Sequence, residues 1–190
     1  FLHITCAAAQ LSIVPGRKKK SSTRNSVRKS DEQIREKVDA AVREQKTISL
    51  VTYMLSDYGE KMLKLLLTGI LEKYNRIDLL DIAYTSAKEL IINGTKANLK
   101  RIIFRKMNLD PRNEDEYNRG MGYFRENLTE QKIRSYRNDF RENRLPVTAT
   151  FYYSPNVLNI KVKNNFPLLP IEEKRIREKF SNTTSFANLF

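Results

Sequence analysis

The stretch DLLDIAYTSAKELIINGTKANLK, residues 78–100, reads as one helix with two unlike faces. With Glu89 set to zero and an advance of about 100° per residue, Asn93 falls at about 40° and Lys96 at about −20°. Ala83, Ala87, Leu90, Ile91 and Gly94 fall between about 100° and 200°, which makes that side the core-facing one. One side of the helix therefore packs, while the other sets a carboxylate, an amide and an ammonium in a row. Such a row suits a magnesium-bound polyphosphate. The Asn93 amide oxygen can reach the metal, the Lys96 ammonium a phosphate, and the Glu89 carboxylate can orient a water or accept a proton.

Before this helix, the pattern from Asp31 is helical, with Ser30 as N-cap, Asp31 and Glu32 at the positive end of the dipole, and Ile34, Val38, Ala41 and Val42 at helical spacing. Residues 48–74 are read as helices packing behind, with a break at Gly59, and the run from Met62 to Leu71 is rich enough to be buried. A turn at Asn75–Arg76 leads into the 78–100 helix. After it, residues 101–146 read as a polar insertion in which Leu128, Ile133, Tyr136 and Phe140 suggest a weak helix. Beyond Pro146 the period changes to two. VTATFYY (147–153) and VLNIKVK (157–163) predict a hairpin turned at Ser154-Pro155-Asn156, and a charged helix is expected from Ile171 to Phe180.

Two segments together resemble the GHKL superfamily, the histidine-kinase-like ATPases. Glu89-Leu-Ile-Ile-Asn93-Gly-Thr-Lys96 is similar to that family's N box, and the strand ending Ile160-Lys-Val-Lys-Asn164-Asn-Phe166-Pro-Leu168 is similar to its strand running into Asp-x-Gly-x-Gly. The resemblance implies an α/β (α+β) two-layer sandwich of helices on an antiparallel or mixed sheet, spanning residues 31–190, incomplete at its C-terminus because the chain stops before the glycine-rich lid. It implies ATP and Mg2+ as ligands, with Glu89 as base, Asn93 on the metal, Lys96 on a phosphate and Asn164 at the adenine edge. It further implies a signalling ATPase or a kinase acting in trans on a protein partner. The departures carry information too. Asn164 stands where the family has an aspartate, so the adenine amino group meets an acceptor without charge. Phe166 and Leu168 stand where it has glycines, and bulk there crowds the adenine loop. A catalytically dead interaction module of the same fold is therefore the alternative within the family.

Composition bounds the rest. A hydrophobic share of 40% is enough to build a core, and the one cysteine, Cys6, excludes an internal disulfide framework and points to a reducing, cytoplasmic setting. The net charge of +13 is concentrated in residues 17–30, which hold seven basic residues and no acidic one. That run reads as a solvated linker within a basic tail, residues 1–30, or as a contact for nucleic acid or an anionic membrane. The apolar residues 1–14 followed by basic charge have the order of a membrane tether with its cytoplasmic stop, or of a stray upstream segment. His3 is the one histidine and lies outside any helical pattern, so autophosphorylation in cis is not expected. A third reading, from another class, is a basic nucleic-acid binder in which Tyr117, Tyr123, Phe124, Tyr136 and Phe140 stack bases among interleaved arginines. No phosphate loop, His-Glu-x-x-His pair or nucleophile elbow occurs in the sequence.

Overall fold

The computed structural model describes residues 31–166 and 168–187. The Ser30 cap, His3, Cys6 and the basic run 17–30 lie outside them. The elements in chain order are α1 (Asp31–Arg43), β1 (Ile48–Thr52), α2 (Asp57–Lys73), a single 3-10 turn (Ile77–Leu79), α3 (Leu80–Lys106), α4 (Glu114–Glu126), α5 (Glu130–Ser135), α6 (Arg137–Glu142), β2 (Val147–Ser154), β3 (Val157–Lys161) and α7 (Pro170–Ala187). Among the described residues the strands form one antiparallel sheet in the order β1-β2-β3, so the fold is α+β.

The sheet shows why one of its faces must be covered. In β2, Val147, Ala149 and Phe151 point inward and are fully buried, and Phe151 stands between Ile48 of β1 and Ile160 of β3. Ser49, Thr150 and Lys161 form the matching row on the other face, which is polar. The inner face packs against Ile34, Val38 and Val42 of α1, the Leu63–Leu71 side of α2, and Ala83, Ala87 and Ile91 of α3. This is the larger core. The expected hairpin is present, with a two-residue turn at Pro155–Asn156.

Two expectations need correction. Residues 48–52, read as helical, are strand β1. Ile48 and Leu50 are buried while Ser49 and Val51 are only half so, an alternation of period two that five residues display too briefly to be told from a helix. Gly59 does not break a helix either. It lies in the first turn of α2, where its N–H donates to the Oγ of Ser56, the N-cap, at 3.3 Å.

Residues 101–146, read as a polar insertion, continue α3 to Lys106 and then fold into α4, α5 and α6. These helices pack on the C-terminal half of α3 through few residues. Leu99, Ile102 and Ile103 meet Ile133, Phe140 and Leu145, while Phe104 meets Tyr117 and Leu109. Gly120 of α4 lies so close to the Phe104 ring that an added Cβ would come within 2.5 Å of it. Thus α3 is buried on different sides along its length, first against the sheet layer and then among α4, α5 and α6.

Helices α1, α2, α3 and α6 all stop in the same way. Gln45, Asn75, Asn108 and Arg144 adopt left-handed backbone with φ between 50° and 54°. The next N–H in each case returns to a carbonyl five residues back, as Arg76 N–H does to Leu71 O at 2.9 Å and Leu145 N–H to Phe140 O at 2.9 Å. This double closure satisfies end carbonyls that would otherwise be orphaned.

Candidate functional site

Gly94 sets the geometry of the site. A Cβ at this position would lie 2.8 Å from Val147 Cγ1 and 3.2 Å from Asn164 Oδ1, so α3 can press on the sheet only because no side chain intervenes. Beyond Lys161 the third strand stays paired with the second, Lys163 N–H donating to Thr148 O at 3.1 Å, and this delivers Asn164 to α3. Asn164 Nδ2 donates to Gly94 O at 3.4 Å, joining positions 70 residues apart in the chain.

Beside this junction opens a cleft of about 1090 Å3. Asn93 and Lys100 of α3, Tyr117 and Met121 of α4, Asn164, and Ile176 of α7 are among its lining residues. The two asparagines singled out in the sequence, Asn93 and Asn164, thus face the same space. Phe166 and Leu168 line it without filling it. Phe166 is half-buried with the Arg101 guanidinium 4.6 Å from its ring centre, and Leu168 is 57% exposed.

Glu89 and Lys96 are placed differently from Asn93. The residues of α3 that line the cleft, from Leu90 to Lys100, fall at about 20° to 140° on the same wheel. Glu89, at zero, is exposed and is not part of the lining. Lys96, at about −20°, turns the other way. It lines a second cavity of about 250 Å3 together with Glu60, Lys88, Ile133 and Arg134. The cleft is rotated because β2 and α4 flank the Gly94 side of α3, while α5 closes over the Lys96 side. The ammoniums that line the cleft with Asn93 are those of Lys100, paired with Glu172, and of the exposed Lys163. In the second cavity, Lys88 and Tyr84 both donate to Glu60 Oε2, at 2.6 and 2.7 Å.

The charged centre of the cleft lies at its α7 side and was not singled out in the sequence. Glu172 is 7% exposed and pairs with Lys100 and, at 2.6 Å, with Arg101. Its Oε2 also accepts the Leu169 N–H at 3.1 Å, as a third helical residue does when it closes back on the N-cap. Burial alone would raise the Glu172 carboxyl. Hydrogen bonds from Lys100 and the Leu169 N–H, with the Lys100 and Arg101 charges, outweigh that and hold it below its ordinary value of 4.5. A carboxyl lowered on folding contributes stability above its unfolded-state value, and that contribution is lost as pH falls through the folded-state value. The first turn of α7 is accordingly expected to loosen as pH drops below 4.5, which amide exchange at Leu169 would report. An unchanged protection factor at Leu169, the exchange rate taken relative to that of the unstructured peptide at the same pH, would contradict this role for Glu172.

Other sequence readings fare unequally. Of the aromatic residues that were to stack bases, Tyr117 is 2% and Phe140 0% exposed, so neither can meet a base. No helix among the described residues is long and apolar enough to cross a membrane, and none of them form a group of three or more His, Cys, Asp or Glu suited to a metal ion.

No protein-family model matches this chain, and no solved structure does. An uncharacterized protein of Treponema pallidum (strain Nichols) is 30% identical to it over 154 residues. That similarity covers 81% of this chain but 30% of the relative, so the chain spans less than a third of the length of the protein it matches.

Proposed function

We propose that the chain is a nucleotide-binding module of the histidine-kinase-like, GHKL type, taking a purine nucleotide with magnesium in the cleft between α3, residues 163–166 and α7. The observation that carries this reading is the meeting of Asn93 and Asn164 on one cleft, tied together by the Asn164–Gly94 contact. The cleft fits such a ligand. Its volume of about 1090 Å3 accommodates a nucleotide, and its walls offer apolar surface from Leu90, Met121 and Ile176 beside the polar Asn93, Lys100, Lys163 and Asn164.

Magnesium fits only as the ion that a nucleotide brings. Among the described residues no acidic cage surrounds Asn93, whose amide oxygen can supply one ligand while phosphates and water supply the rest. Asn164 would accept from the adenine amino group, and Lys100 would stand where Lys96 was expected, beside the phosphates. Glu89 is not among the residues that line the cleft, and Glu172 is paired with Lys100 and Arg101. The reading therefore favours a binding module that reports nucleotide to a protein partner over a kinase acting in trans.

Calorimetric titration with ATP, with and without magnesium, tests it. Asn93→Ala is expected to weaken binding about tenfold, the equivalent of about 1.4 kcal/mol, and only when magnesium is present. Asn164→Leu should remove any preference for adenine over guanine nucleotides. Absence of binding, or binding indifferent to both substitutions, would defeat the proposal.

A further inference from the structure

Lys88, Ile92 and Lys96 stand four residues apart on α3 and so form one stripe along it. The stripe is one wall of the second cavity, of about 250 Å3, which α5 and the connection between β1 and α2 close from the other sides. Four apolar side chains of the lining, Met54, Leu55, Ile92 and Leu128, are only half-buried, so each keeps apolar surface uncovered. The charged groups of the lining are not equally satisfied. Lys88 donates to Glu60 Oε2 at 2.6 Å, and Arg134 pairs with Glu130 and, at 3.6 Å, with Asp57. Lys96 is half-buried and has no carboxylate or hydrogen-bond acceptor among the described residues. An ammonium partly withdrawn from water calls for an anion, and the uncovered apolar surface beside it calls for hydrocarbon. Glu60 and Glu130 line the same space, so a ligand carrying a second negative charge meets repulsion. At about 30 Å3 for each water of the liquid, the cavity has room for about eight waters, or for a chain of about six carbons with its carboxylate.

We propose that this cavity is a second ligand site, taking a small monocarboxylate with an apolar chain of about six carbons. The Lys96 ammonium binds the carboxylate, while Met54, Leu55, Ile92 and Leu128 cover the chain. The site is distinct from the cleft. The two spaces share no lining residue, and they open on different sides of α3. Occupation of one therefore requires no residue of the other, and the second site stands or falls apart from the nucleotide reading.

Hexanoate and hexanol, titrated separately into the 190-residue chain and followed through methyl resonances, test the site. The two probes share a chain and differ in charge. Hexanoate is expected to shift the methyls of Leu128 and Ile133 and to bind about tenfold to a hundredfold more tightly than hexanol, the worth of one hydrogen bond to a charged group. Lys96→Met keeps the aliphatic stem and removes the ammonium. It should bring hexanoate down to the level of hexanol and leave hexanol unchanged, which also shows that the variant keeps its cavity. Hexyl phosphate, close to a dianion at about pH 8, should bind more weakly than hexanoate, and tighter binding would overturn the assignment to carboxylates. Equal affinity of the unsubstituted chain for hexanoate and hexanol overturns the proposal whatever the variant does. So does binding of neither probe, which would mark a cavity held by water alone. Shifts centred on Met121 and Ile176 would put the probe in the cleft and overturn it as well.

Discussion

Asn98→Asp is expected to destabilise the protein by about 3–5 kcal/mol at about pH 7, the cost of an uncompensated buried charge. Asn98 is 0% exposed, and its Nδ2 donates to Leu145 O at 2.7 Å and to Pro146 O at 3.4 Å, pinning the start of β2 to α3. An ionised carboxylate there would turn acceptors toward acceptors in a dry place. The folded protein would therefore hold the introduced carboxyl protonated, raising it above its unfolded value of about 3.9. A group raised on folding contributes fully below its unfolded value and loses that contribution as pH climbs through the folded value. The difference from the unsubstituted chain should thus be small at about pH 4, where the neutral acid can donate as the amide did, and large at about pH 7. Urea unfolding of both chains at the two pH values checks this. A penalty independent of pH would mean that the site is wet. Asn98→Ala serves as the uncharged control and should cost about 1–3 kcal/mol.

The second large effect concerns the sheet. Phe151→Ala should cost about 3–5 kcal/mol, because the ring is fully enclosed and its loss leaves a cavity in the larger core. Tyr152→Ala, one residue along and 43% exposed, should stay within about 0.5 kcal/mol. Denaturant midpoints should shift for the first substitution with unchanged slope, which marks lost stability and not an altered unfolded state. Comparable losses at 151 and 152 would mean that the sheet is covered on both faces.

The hairpin was legible in the sequence because its alternation runs through VTATFYY and VLNIKVK and a turn sits between them. The 80–106 helix was legible because it is long, although its end lay beyond the expected Lys100. Strand β1 was not. Its five residues pair with β2 about a hundred positions later, and that distant pairing, together with the burial it brings, decides the conformation, not local preference. The helices of residues 114–142 escaped for a different reason. Each buries one or two large residues, such as Tyr117, Ile133 or Phe140, too few to mark a period. At the candidate cleft, Asn93 and Asn164 stood out in the sequence because the segments that carry them are local, and both line it. Lys100, Arg101 and Glu172 were missed because their pairing spans 71 residues and depends on where α7 comes to rest.

The two-sided burial of α3 makes this helix a gauge of length for the whole molecule. One residue inserted between Asn93 and Leu99 would advance everything beyond it by about 1.5 Å and rotate it by about 100°. Leu99, Ile102 and Ile103 would swing away from Ile133 and Phe140, Lys100 would leave the cleft, and Asn98 would lose its hold on the start of β2. Homologous chains should therefore tolerate length changes at the 107–113 and 127–129 connections but none within this segment. The spacing from Asn93 to Leu99 becomes a diagnostic for recognising distant relatives whose side chains have otherwise drifted.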